Sequence, residues 1–94
     1  MHPKENIQTG ALYEAILTLK TPGECAGLFD DLCTAGEISA MAQRLQVARL
    51  LRENMVYSDI VAKTGASSAT ISRVARCLNH GEGGYETVLS RMIK

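Results

Sequence analysis

Between Tyr57 and Leu78 the chain reads YSDIVAKTGASSATISRVARCL, with apolar residues spaced for two short helices meeting at a sharp bend. Ile60 and Val61 close the apolar side of the first helix. Gly65 follows Ile60 by five residues, where a residue without Cβ can take the positive φ that a tight turn needs. Ser67 then stands as an N-cap. Ile71, Val74, Ala75 and Leu78 recur at i, i+3, i+4, i+7, the buried side of an amphipathic helix. This pattern predicts a helix-turn-helix over residues 57–79, a unit that lays its second helix in the DNA major groove. Two helices on a Gly turn also occur in proteins that never touch DNA, so the outward side of the second helix matters. There stand Ser68, Ala69, Ser72, Arg73, Arg76 and Asn79: small or hydrogen-bonding residues and two cations, with no carboxylate. A solvated helix mixes charges of both signs, whereas this face is clear for a polyanion.

The net charge of zero argues against a nucleic-acid partner until its distribution is read. Residues 1–55 hold five cations (Lys4, Lys20, Arg44, Arg49, Arg52) and seven acids, a balance of −2. Residues 56–80 hold Lys63, Arg73 and Arg76 against Asp59, a balance of +2. Positive charge is thus local to the helix-turn-helix, where phosphates would use it. Arg44, Arg49 and Arg52 lie on one side of an earlier helix and read as a solvated face pairing with nearby acids.

Every strong periodic signal is helical. Residues 1–10 are polar and are expected to form an arm; residues 11–94 are expected to form one helical domain. Ala11, Leu12, Ala15, Ile16 and Leu19 predict an amphipathic helix ending near Lys20. Thr21-Pro22-Gly23-Glu24 and Thr34-Ala35-Gly36-Glu37 have the spacing of capping boxes and open two more helices. The second carries Cys25, Leu28, Phe29, Leu32 and Cys33. The third, reaching about Glu53, carries Ile38, Met41, Ala42, Leu45, Val47, Ala48, Leu50 and Leu51, a face too wide for one neighbour. After the helix-turn-helix, glycines at 81, 83 and 84 make a turn, and Tyr85, Val88, Leu89 and Met92 predict a last short helix.

With 94 residues, no Trp and one Phe, the core must be aliphatic, and a chain this small often completes its core with a second copy of itself. No apolar run approaches a bilayer span, and the first residues lack the apolar stretch of a secretory signal, so a cytoplasmic protein is expected. Cys25, Cys33 and Cys77 are widely spaced and form no pair with metal-ligand spacing with His2 or His80; they read as buried small hydrophobes. No metal site, cofactor or catalytic constellation is implied, so the chain is not read as an enzyme.

The chain resembles the Trp repressor superfamily, in its small stand-alone YerC/YecD branch. The resemblance rests on the capped start Thr34 to Glu37, on MAQRLQVARLLRENMVYSDIVAKTG, on the recognition-helix motif GASSATISR, and on Gly83-Gly84-Tyr85 leading into the last helix. It covers roughly Ala11 to Ile93. It implies an all-α, six-helix Trp repressor-like fold whose two chains interlock outside the helix-turn-helix and present two reading heads to double-stranded DNA. By that resemblance Ser68, Ala69 and Ser72 approach base edges and Thr70 contacts phosphate. Lys63, Ser67, Arg73 and Arg76 complete the DNA-facing set. Ser58 occupies a position that carries a guanine-reading Arg in tryptophan-sensing members; a serine cannot make that bidentate contact, so the operator should differ.

In tryptophan-sensing members the indole lies between two Arg stems. The resemblance maps these to Arg73 and Arg44, with Val74 and Cys77 beside them. Those members carry Gly where Val74 stands and Ser where Cys77 stands. A valine there fills space that the ring would need, which argues against L-tryptophan; another small-molecule effector is left open. The expected function is a homodimeric transcription regulator acting as a repressor. The alternative is a helical protein-interaction module that kept the fold without operator binding, and the near-neutral charge and small reading-helix side chains fit it.

Overall fold

A computed structural model describes residues 6–92. They form six helices: α1 (Ile7–Leu17), α2 (Pro22–Leu32), α3 (Ala35–Arg52), α4 (Tyr57–Thr64), α5 (Ser68–His80) and α6 (Gly84–Met92). There is no strand among the described residues, so the all-α reading holds.

Two compact units are distinguished, one up to Ile38 and one from Ser39 onward. In the first, α1 begins four residues earlier than the polar arm allowed. Asn6 is its N-cap: the Asn6 side-chain oxygen accepts from Thr9 N at 2.8 Å and from Thr9 Oγ1 at 3.0 Å. Residues 1–5 of the expected arm lie outside the described residues. The predicted amphipathic stripe of α1 is not what forms. Its apolar residues spread around the helix, with Ile7, Leu12, Tyr13 and Leu17 all exposed, and Leu19 falls beyond its end. No residue of α1 or α2 is buried.

The two capping boxes differ. Thr34 N donates to Glu37 Oε1 at 2.8 Å while Glu37 N donates to Thr34 Oγ1 at 3.1 Å, the full reciprocal pair. At α2 the Thr21 hydroxyl caps Glu24 N, but the Glu24 carboxylate reaches one residue further back, to Lys20 N at 2.8 Å.

The second unit holds the core: Val47, Ala48 and Leu50 of α3, Ile60 of α4, Ala66 of the turn, Ile71 and Val74 of α5 and Leu89 of α6. Leu45, Leu51, Met55, Leu78 and Tyr85 pack around it half-buried. It is aliphatic, as composition required. Val61 is an exception to the predicted stripe, since it faces solvent. The cysteines are another: Cys25 is exposed, and Cys33 and Cys77 are only half-buried.

A left-handed Asn54 (φ 66°) stops α3. Met55 N donates to Leu50 O and Asn54 N to Leu51 O, the 6→1 and 5→2 bonds of a Schellman motif. Met55 then folds back onto the core near Leu50, and the chain turns directly into α4.

Candidate nucleic-acid interface

The two helices expected from the Tyr57–Leu78 spacing are α4 and α5, and Gly65 sits between them in the left-handed region at φ 73°. Gly65 N closes α4 by donating to Val61 O at 2.9 Å. Thr64 builds the rest of the turn. Its hydroxyl donates to Ile60 O at 2.7 Å and accepts from Ala66 N at 3.1 Å. Ala66 is buried, so the turn is packed as well as bonded. Ile60 and Ile71, both fully buried, belong to the apolar sides of α4 and α5 that spacing assigned.

Ser67 caps α5, accepting from Thr70 N at 3.1 Å. Its hydroxyl also donates to Thr70 Oγ1 at 3.1 Å, which leaves the Thr70 hydroxyl its own proton to donate. Thr70 is half-buried and partly used by the cap, a role the sequence did not suggest. Ser68, Ala69, Ser72, Arg73, Arg76 and Asn79 are all exposed, as are Ser58 and Lys63 on α4. The first turn of α5 holds no acid, so no carboxylate competes for its exposed N–H groups. Among the described residues, Lys63, Arg73 and Arg76 form no ion pair.

The pair that does form is Arg52 with Glu86, at 2.8 Å. Of the three cations on α3, Arg52 is the one that meets a carboxylate among the described residues; Arg49 donates to Gln46 Oε1 at 3.0 Å. A second long-range link was also not foreseen: Gln43 Nε2 of α3 donates to Thr64 O at 3.2 Å. No sequence pattern marks a Gln for this, because the acceptor is a backbone carbonyl 21 residues away.

A sequence model of the family described as Trp repressor protein matches residues 8–93. The chain belongs to the Trp repressor family. It is 57% identical to the uncharacterized protein YerC of Bacillus subtilis over 81 residues, covering 86% of this chain and 78% of YerC. This agrees with the branch the motifs indicated. Its fold matches that of a candidate Trp repressor from Staphylococcus aureus with a TM-score of 0.91 at 45% identity, covering 94% of this chain and 88% of that one. A TrpR-like protein from Eubacterium eligens matches with the same TM-score at 48% identity, covering 94% and 91%.

Within this Trp repressor fold, two of the four residues mapped to an effector pocket share one cavity wall. Arg44 and Cys77 line an apolar cavity of ≈ 700 Å³ with Met41, Leu45, Tyr85 and Val88. Arg73 and Val74 are not on its wall. Arg73 is exposed, and Val74, at 1% exposure, is part of the core. Arg73 and Cys77, four residues apart, share a side of α5, whereas the neighbouring Val74 turns into the core.

Proposed function

We propose that this member of the Trp repressor family is a homodimeric, sequence-specific DNA-binding regulator of transcription, cytoplasmic and acting as a repressor. The observation that carries the reading is the outer face of α5. Ser68, Ala69, Ser72, Arg73, Arg76 and Asn79 are exposed together on a helix capped by Ser67, with no acid among them. Such a face suits a groove lined by phosphates: the cations meet the backbone, and the small residues let base edges come close. Ser67, Thr70 and Lys63 are the nearby phosphate ligands, and Ser58 is the α4 residue at the groove edge. This reading gives no residue a catalytic role, in keeping with a regulatory family.

The dimer is supported by α1 and α2. A helix with apolar residues on several sides is ordinarily buried, yet α1 exposes Ile7, Leu12, Tyr13 and Leu17. The exposed Met41 of α3 and Val88 and Met92 of α6 call for cover of the same kind. A second copy supplies it and presents two reading heads. A repressor role is favoured by the matched family, the Trp repressor protein family, whose model spans residues 8–93.

One observation favours the alternative of a protein-interaction module: Val56, Tyr57 and Val61 form exposed apolar surface on the reading head itself. Salt titration of binding to a random-sequence duplex separates the two. A DNA binder loses affinity steeply as salt rises, because counterions are released on binding. Selection of bound fragments from the source genome should then return one recurrent, two-fold symmetric sequence. Salt-independent binding, or no binding, would support the protein-interaction reading.

A further inference from the structure

We propose that Gln43 is the positioning residue of the reading head: its side-chain amide fixes the carbonyl of Thr64 and so sets how the α4–α5 turn is held on α3. The inference rests on the DNA-binding reading for its consequence, and on geometry for its mechanism.

The last carbonyls of a helix lack donor partners inside it. Thr64 ends α4, and its carbonyl receives Gln43 Nε2 at 3.2 Å in a half-buried setting. The Thr64 hydroxyl is already engaged with Ile60 O and Ala66 N. Three polar contacts thus meet at one residue, and Gln43 supplies the one that comes from outside the head. Gln43 lies one turn before Val47, on the side of α3 that carries the core. Among the described residues, side-chain hydrogen bonds join residues more than four apart at two places, Gln43–Thr64 and Arg52–Glu86. Only the first acts on the helix-turn-helix. α5 begins four residues after Thr64, so a tilt at that carbonyl displaces Ser68, Ala69 and Ser72 together. Gln43 would govern operator fit without touching DNA, and the head would be held with no effector bound.

The test uses the full chain and three variants of similar helix propensity. Gln43→Met keeps length without a donor. Gln43→Glu presents only acceptors to the carbonyl. Gln43→Lys restores a donor. Amide hydrogen exchange is measured along α3 and from Gly65 to Ile71. Binding is measured to a genome-selected fragment and to a random-sequence duplex. Loss of one such hydrogen bond corresponds to about five- to tenfold in an equilibrium. Met and Glu should therefore speed exchange from Ala66 to Ile71 by that factor while the middle of α3 is unchanged. Affinity for the selected fragment should fall by a similar factor, with the random duplex much less affected, and Lys should recover both. Unchanged exchange at the turn overturns the proposal. So does an equal rise in α3 with a lowered melting temperature, which marks plain loss of stability. If the wild-type chain bound neither duplex, the DNA-binding reading would fall, and the exchange data alone would decide whether Gln43 holds the turn.

Discussion

Arg52, in the last turn of α3, grips Glu86 of α6 through two parallel hydrogen bonds, Nε to Oε1 and Nη2 to Oε2, each 2.8 Å. The fork lowers the Glu86 carboxyl from its ordinary value, chiefly through the hydrogen bonds, with desolvation opposing and the guanidinium charge adding a smaller pull, and it raises the guanidinium through the same hydrogen bonds. Glu86 is lower in the folded than in the unfolded chain. Its contribution is therefore present above the ordinary carboxylate range and is lost as pH falls through the lowered folded value. Glu86→Gln should lower the melting midpoint at neutral pH, and the gap to wild type should close in acid. Both side chains reach solvent, so high salt should narrow it too. A gap independent of pH would show that the pair is not the cause.

At Gly65 the strain is conformational. A Cβ at this position would meet nothing within 4 Å, but φ is +73°. Gly65→Ala should cost about 1–2 kcal/mol, the penalty of the left-handed region for an L side chain, and Gly65→Asn should cost less. Chemical denaturation curves check the order. Equal costs for Ala and Asn would point to crowding instead.

Gly65 also shows why much of this fold was legible. A Gly five residues after a buried Ile, followed by Ser-Ser-Ala-Thr-Ile, admits few other geometries, and the apolar period fixed which side of α5 turns inward. Contacts made by long side chains to distant partners were not legible. Arg52 could have met any acid, and Gln43 any carbonyl. Asn6 and Asn54 were missed as end signals because a lone Asn is common in loops, and only their backbone angles and bonds reveal them as caps. The pocket residues were mapped by resemblance from both α3 and α5; on α5 the apolar period had already turned Val74 inward and Arg73 outward, as neighbours on a helix point about 100° apart.

Arg76 stands about two turns from the α5 start and is exposed without an ion pair among the described residues. Arg76→Ala should weaken binding to all duplexes alike and lower the salt slope by about one per site lost. Replacements at Ala69 or Ser72 should instead alter which sequence is preferred. An unchanged slope in Arg76→Ala would assign that side chain a structural role.

The exposed apolar residues of α1 predict an obligate dimer. Light scattering should give twice the chain mass at micromolar concentration, and Leu12→Glu or Leu17→Glu should cause loss of the dimer together with loss of the helical signal. A folded monomer of the wild-type chain would refute this. In the dimer bound to DNA, the two α5 helices should lie about 34 Å apart, one turn of the duplex.

Free L-tryptophan should not act as co-repressor. Val74 is 1% exposed and packs with Ile71, Ile60 and Leu89 in the core. A ring reaching past Arg73 to the inner side of α5 would have to displace it, and forcing extra volume into a packed core costs about 1–3 kcal/mol. Cys77, where tryptophan-sensing relatives carry Ser, lines the separate cavity beside Arg44 and offers only a weak thiol donor. The head has its own tie in Gln43, so DNA binding should not wait for a ligand. Calorimetry with L-tryptophan, with and without the genome-selected fragment, should show no saturable heat, and the ligand-free protein should already bind that fragment. Micromolar binding coupled to tighter DNA binding would mean that Val74 yields to the ring and that α5 moves to admit it.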